Sequence, residues 1–256
     1  MICKKSHDRA MSKDTCLAVL AGGMGRRIKG YKPLITLKNK MLIEYVLESL
    51  SPYFGEVLIV VRNHWQKSML MQSIKDLIDT YRISIVTDIV NLKGPLAGVI
   101  TAVNHCSKEL IAFAPADTPF IKIHIYKHLN RYVKNYGYEA AVPLWPNRFI
   151  EPLISLSIKE SLMSAINECI KKGIKSVSAI FNRMFTAYVD IRLISRNPSI
   201  EFLNINTYED LDLAQKFLTN IAKPFNRFNE IFPISFISSN SDLIVSFARS
   251  KILYFL

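Results

Sequence analysis

Leu17-Ala18-Val19-Leu20-Ala21-Gly22-Gly23-Met24-Gly25-Arg26-Arg27-Ile28-Lys29-Gly30-Tyr31-Lys32 starts as an apolar run, breaks at a small-residue turn and ends in a basic loop. The run up to Leu20 has the character of a buried strand. The glycines after it let backbone N–H groups approach a ligand with no Cβ in the way, and such groups form an anion nest. Arg26 and Arg27 add planar forks that match phosphate oxygens, while Lys29 and Lys32 add compact point charges. Strand, glycine turn and basic loop together read as a triphosphate cradle. The same residues also suit a tight turn followed by a solvated basic loop, so the rest of the chain has to decide.

Working outward, Pro33 follows Lys32 and is expected to hold that lysine on extended backbone. A helix is predicted from about Met41 to Leu50, with Leu42, Tyr45 and Val46 on one face. Val57–Val61 is β-branched and continuous enough for a strand buried on both sides. Residues 65–81 are predicted as a second helix, and Ile83–Val86 as a strand ending at Thr87-Asp88. Gly94-Pro95-Leu96-Ala97-Gly98 then opens a helix whose stripe is Leu96, Val99, Ile100 and Val103. Leu110–Ala114 is a further buried strand, followed at once by Pro115-Ala116-Asp117-Thr118-Pro119. Successive βα units predict an α/β fold, a doubly wound, mostly parallel sheet with helices on both faces. Ligands of such sheets bind outside the carboxyl ends of the strands. The glycine-basic loop, Asp88 and Asp117 each follow a predicted strand and would therefore face one crevice.

The second half is less regular. Ala140–Pro143 and Pro152–Leu156 read as strands around a loop holding Trp145, Arg148 and Glu151. A helix from Lys159 to Lys172 ends at Gly173, and Phe185–Ile191 is a further strand. Asn204-Ile205-Asn206-Thr207 leads into a helix near Tyr208, with Thr207 as N-cap and Asp210 placed for a capping box. The expected organisation is an N-terminal extension (1–14), one domain (15–222) and a C-terminal tail (223–256). Met11 is an alternative start, with residues 1–10 read as disordered.

Half of the 256 residues are hydrophobic and 21% are charged, the composition of a globular chain. A formal charge of +12 favours anionic partners without choosing among nucleotides, nucleic acid and anionic membranes. No apolar run reaches the roughly 18 residues of a membrane span, and the N-terminus lacks the apolar core of a signal peptide. A cytoplasmic location follows as the expectation. Cys3, Cys16, Cys106 and Cys169 show no metal or redox spacing and read as reduced thiols. His124 and His128 lie four apart on a predicted helix, but with no carboxylate between them they make a weak metal pair.

With the glycine loop, GPLAG, the aspartate-proline segment and Asn-Ile-Asn-Thr assembled, residues 15–218 resemble the molybdenum cofactor guanylyltransferases, glycosyltransferase-A-like nucleotidyltransferases. That family's loop is usually written LAGG-x-S-x-R-M-G-x-D-K. Leu20–Gly23, Arg27 and Lys32 match it, whereas Gly25 stands for the serine, Ile28 for the methionine, Lys29 for the glycine and Tyr31 for the aspartate.

The resemblance implies GTP contacts from Leu20, Ala21, Gly22, Gly23 and Lys32, and a nucleotide contact from Asp88. It also implies Mg²⁺ at Asp117, a nucleotide-side loop at Gly94, and an acceptor side at Asn204 and Asn206, with Glu151 a lesser candidate. A family asparagine after the second strand aligns here with Val61, and Asn63 lies two residues on. The implied reaction is GMP transfer from GTP to the terminal phosphate of molybdopterin, with Arg27 and Lys32 stabilising the leaving pyrophosphate. The implied partners are GTP, molybdopterin and, downstream, acceptor molybdoenzymes or cofactor-insertion proteins, with neither nucleic acid nor membrane among them. Rivals on the same fold transfer a cytidylyl group, or act on a sugar phosphate or cobinamide phosphate. A nucleic-acid-binding protein fits the charge but lacks a motif, and a dinucleotide oxidoreductase would need a third glycine in the first turn.

Overall fold

The computed structural model describes residues 13–25, 27–90, 92 and 94–221. Most of the expected extension (1–12), the Met11 start, Arg26 and the tail (223–256) lie outside them. The chain divides into two units, Met1–Ala214 and Gln215–Leu256. The first carries the whole sheet; of the second, only 215–221 are described, as the last turns of one helix.

Seven strands form the sheet: β1 (Thr15–Leu20), β2 (Glu56–Val61), β3 (Ser84–Thr87), β4 (Leu110–Pro115), β5 (Ala140–Leu144), β6 (Ser155–Ile158) and β7 (Thr186–Asp190). Their order is β7-β5-β6-β4-β1-β2-β3. The β4-β1-β2-β3 half is parallel throughout, as is the β7–β5 pair, whereas β6 runs antiparallel to both neighbours. The reversal has a local cause. β5 and β6 are joined by the loop containing Trp145 and Glu151, not by a crossover helix, and a parallel return needs the longer connection.

The helices are α1 (Leu42–Leu50), α2 (His64–Ser73), α3 (Lys75–Tyr81), α4 (Pro95–His105), α5 (Ile123–Tyr136), α6 (Lys159–Lys171), α7 (Val177–Phe181), α8 (Ile191–Ile194), α9 (Pro198–Glu201) and α10 (Tyr208–Ile221). Of these, α1 and α5 cover one face of the sheet and α4, α6 and α7 the other. On β1, Leu17 and Val19 join a core with α1 and α5, and Cys16 and Ala18 join a second core with α4, α6 and α7. This is the period-2 alternation of a strand buried on both sides.

Most expected elements are present, with corrections. Residues 65–81 form two helices, because the chain turns at Ile74 (φ −125°, ψ 32°) and buries that side chain. Pro152–Ile154 is a turn and not strand, since Pro152 has no N–H for a ladder; the strand begins at Ser155. Lys32 is not extended: it opens a single 3₁₀ turn, Lys32–Leu34, with Pro33 inside the first turn where its missing N–H costs nothing. The extended residue is Tyr31. The α4 start matches its reading, with Gly94 at φ 91°, a conformation that suits glycine, followed by Pro95. Gly173 (φ 68°) ends α6 as expected.

Candidate active site

The strands β1 to β4 are parallel and all release their chains at the same end of the sheet. Ala21 N–H donates to the Val60 carbonyl (2.8 Å), Asp88 N–H to Val61 (2.8 Å) and Ala116 N–H to Leu20 (3.1 Å). Ala21, Asp88 and the segment holding Asp117 therefore leave the sheet side by side, the convergence expected from the sequence.

Past Ala21 the chain turns tightly over β2, where a Cβ on Gly22 would lie 3.4 Å from the Arg62 backbone nitrogen. It then makes a small antiparallel ladder, Met24–Gly25 against Gly30–Tyr31. This hairpin brings Lys32 back beside the glycine turn, its Cδ 3.9 Å from where a Cβ on Gly23 would stand. Tyr31, which departs from the family's aspartate in the loop pattern, ties the hairpin down: its buried hydroxyl donates to the Ala21 carbonyl at 2.7 Å. Burial pushes that phenol well above its ordinary value, so it stays a neutral donor.

Lys32 stands at the centre. Its Nζ donates to Asp117 Oδ2 at 3.0 Å and to Asn206 Oδ1. The lysine and aspartate side chains are 15% and 21% exposed, shielded enough to matter electrostatically yet open to a ligand. The segment around Asn204 lies directly over the aspartate turn. Ile205 N–H donates to the Asp117 carbonyl (2.9 Å), and the buried Thr118 hydroxyl donates to Asn204 Oδ1 (2.5 Å). Asn206 is then fixed by the start of α10. Asp210 Oδ2 accepts from Asn206 N–H (2.8 Å) and Thr207 N–H (2.9 Å), while Asp210 N–H donates to Thr207 Oγ1 (3.2 Å). This is the expected capping box with the shorter acid.

Asp88 follows β3, on the other side of the glycine turn from Asp117 in the order of the sheet. A Cβ on Gly98 of the GPLAG segment would lie 3.2 Å from Leu20 Cδ2 and 4.0 Å from Asp88 Oδ1, so these three residues are contiguous. Burial raises the Asp88 carboxyl above the ordinary aspartate range, against a 3.3 Å hydrogen bond from the Thr101 hydroxyl and the charge of Arg62. Arg62 thus borders both the glycine turn and Asp88, a position that no pattern in the sequence signalled.

Arg27 is exposed in the turn of the hairpin, and Gly94 is exposed at the start of α4. Glu151 is buried, with Trp145 Nε1 donating to Oε1 at 2.9 Å. Asn63 caps α2 by accepting from Gln66 N–H at 3.0 Å. Gln66, not singled out from the sequence, is fully buried; its Nε2 donates to the Gly22 carbonyl at 3.3 Å and its Oε1 accepts from Arg62 N–H at 2.7 Å. His124 pairs with Glu201 (3.0 Å), which also accepts from the Ser195 hydroxyl (2.6 Å).

Residues 17–187 match the family model of a MobA-like NTP transferase domain. The chain belongs to that family. As a MobA-like NTP transferase it is a nucleotidyltransferase of mixed α/β architecture. A protein of Methanosarcina mazei named probable molybdenum cofactor guanylyltransferase is 32% identical over 198 residues, 76% of this chain and 87% of that protein. The crystal structure of molybdopterin-guanine dinucleotide biosynthesis protein A from Archaeoglobus fulgidus is 28% identical with a TM-score of 0.66, covering 80% of this chain and 99% of that one. The 4-diphosphocytidyl-2C-methyl-D-erythritol synthase of Anaerococcus prevotii, 14% identical with a TM-score of 0.60 over 80% of this chain and 96% of that one, shares the fold. Among the described residues of this MobA-like transferase, no helix is long and apolar enough to cross a membrane.

Proposed function

We propose that the chain transfers GMP from GTP to the terminal phosphate of molybdenum-molybdopterin. A phosphate oxygen of the acceptor bonds to the α-phosphorus, the bond from that phosphorus to the bridging oxygen breaks, and pyrophosphate leaves. The observation that supports this best is Lys32 held between Asp117 and Asn206 beside the Ala21–Gly23 turn. A cation, a carboxylate and a glycine turn close together suit the alignment and neutralisation of two anionic reactants.

In this reading the Leu20–Gly23 turn and Gly94 line the nucleotide side, with Gly22 and Gly23 offering their N–H groups there, since that of Ala21 is held by the Val60 carbonyl. Lys32 and Arg27 donate to the phosphates and stabilise charge on the departing pyrophosphate. Asp117 suits Mg²⁺. It is a hard oxygen donor at the carboxyl end of β4, 21% exposed, already paired with a cation in Lys32, and Mg²⁺ is commonly held by one carboxylate together with substrate phosphates. Bound there, Mg²⁺ supplies charge neutralisation on phosphate oxygens. Asp88 accepts from guanine N1–H and N2–H₂, and Asn204 and Asn206 face the acceptor. Acceptor molybdoenzymes or cofactor-insertion proteins would receive the product.

Purified protein with molybdopterin, Mg²⁺ and GTP, CTP or ATP in turn, with pyrophosphate as readout, tests the proposal. GTP is expected to lead ATP at least about tenfold, because the wrong base leaves buried groups unpaired at roughly 1–3 kcal/mol each. Equal use of ATP and GTP would remove the guanylyl reading, and a lead for CTP would make this a cytidylyl enzyme. Pyrophosphate release with a sugar phosphate or cobinamide phosphate, and none with molybdopterin, would replace the acceptor.

A further inference from the structure

At the amino ends of the strands, opposite the candidate active site, Cys16, Glu56 and Cys106 bring their ligating atoms within 4.8 Å of one another, the one such group among the described residues. Chain spacing offers no hint of it, because the three are far apart and no two have metal spacing. The topology makes it. Cys16 and Glu56 are register partners on the adjacent parallel strands β1 and β2, so their side chains share a face. Helix α4 packs on that face, and its C-terminal end delivers Cys106 to the same row.

We infer that Cys16, Glu56 and Cys106 bind a soft or borderline divalent d-block cation, with zinc as the reference, at a second site independent of the transferase centre. Two sulfurs and one carboxylate oxygen are a ligand set that thiophilic metals take and Mg²⁺ does not. Zinc–sulfur bonds of about 2.3 Å and zinc–oxygen bonds of about 2.0–2.2 Å need ligand atoms roughly 3.5–3.8 Å apart in a tetrahedron, inside the 4.8 Å span that holds all three. The surroundings support the ligands. The Lys108 N–H donates to Cys106 Sγ at 3.4 Å, and Ser107 donates to Glu56 Oε2 from both its N–H (2.9 Å) and its hydroxyl (3.0 Å). Such outer contacts orient metal ligands.

The carbonyl end of the 11-residue α4 adds negative potential, and the Lys159 ammonium already sits there, donating to the Cys106 carbonyl at 3.2 Å. Both thiols are buried, while Glu56 is partly exposed and offers the side from which an ion and a completing water enter. The Cys106 thiol also donates to the Lys108 carbonyl at 3.4 Å, a contact of the protonated sulfur. Binding releases the two thiol protons to solvent as the metal–sulfur bonds form.

The test is titration of the full-length chain, reduced and stripped with a chelator, with Co²⁺. One equivalent per chain is expected, with thiolate-to-cobalt charge-transfer absorption and proton release, displaced by Zn²⁺ and indifferent to excess Mg²⁺. Cys106→Ser should abolish the absorption, and Glu56→Gln should weaken binding at least about tenfold; circular dichroism checks that each variant is folded. Absence of the charge-transfer band in the wild type overturns the inference without reference to any variant. So does unchanged affinity in folded Cys106→Ser, or loss of the band in Cys3→Ser instead.

Discussion

Lys32 has two anionic or polar partners from segments 85 and 174 residues away, so its substitution reads both the pairing and the proposed phosphate contact. Lys32→Ala is expected to lower kcat/KM by the equivalent of about 2–4 kcal/mol, the usual loss for one electrostatic stabiliser. Steady-state kinetics with GTP would check it; an unchanged kcat/KM would make Lys32 a purely structural partner of Asp117. Asp117→Asn keeps the side-chain volume and removes the charge, so a folded protein with no Mg²⁺-supported turnover is expected. Asp88 is expected to act in two opposite directions with pH. Its raised pKa means the folded state holds a proton at pH values where an unfolded aspartate has lost it. The stability from this group is therefore greatest at low pH and declines as pH rises through the raised value. The preference for GTP over ATP should move the other way, growing as the carboxylate ionises. Asp88→Asn should flatten both profiles, measured by thermal unfolding and by paired nucleotide titrations.

At the scale of elements, the hairpin after the glycine turn differs from what the family pattern suggests. The family's serine position is Gly25 here, and a Cβ at that position would sit 2.3 Å from the Ile28 carbonyl oxygen and 3.0 Å from that of Gly30. Both neighbours are backbone and cannot swing away. Restoring the family residue, Gly25→Ser, is therefore expected to destabilise the chain by about 1–3 kcal/mol, the usual range for overpacking, and to raise the KM for GTP by displacing Lys32. Denaturant midpoints and kinetics would check the two halves. The cap of α10 is the other element that positions the site. Asp210→Ala removes the acceptor shared by Asn206 and Thr207. It should cost about 1 kcal/mol as a lost cap and should raise the KM for the acceptor more than that for GTP.

For the whole molecule, the proposed boundary is that residues 15–222 form the transferase and 223–256 are dispensable. The family match ends at residue 187, and the candidate site residues lie between Leu20 and Asp210. A chain of residues 13–221, which keeps every described element, is expected to remain folded and active. Aggregation of that chain, or loss of turnover, would show that the transferase needs the ends. The formal charge of +12 also predicts that the KM for GTP rises with ionic strength, as screening weakens the attraction of a polyanion.

Most strands were legible in the sequence because they are short apolar runs, and β1, β3 and β4 are closed by Gly22, Asp88 and Pro115, signals that are local. So were the α4 start, the end of α6 and the Thr207–Asp210 cap, where the partners lie within a few residues. Asp117 and Asp88 could be placed at the crevice because the end of a parallel strand is itself a local feature. What only the tertiary structure decided involves residues far apart in the chain. Nothing near Lys32 announces Asn206, nothing near Tyr31 announces the Ala21 carbonyl, and Gln66 looks like a surface residue until β2 ends beside the glycine turn. The break at Ile74 and the antiparallel β6 follow from how the chain packs and reconnects, not from propensity. The cluster of Cys16, Glu56 and Cys106 is the clearest instance. Spacing along the chain carries no sign of a shared site, whereas strand register and the landing point of one helix put all three side chains together.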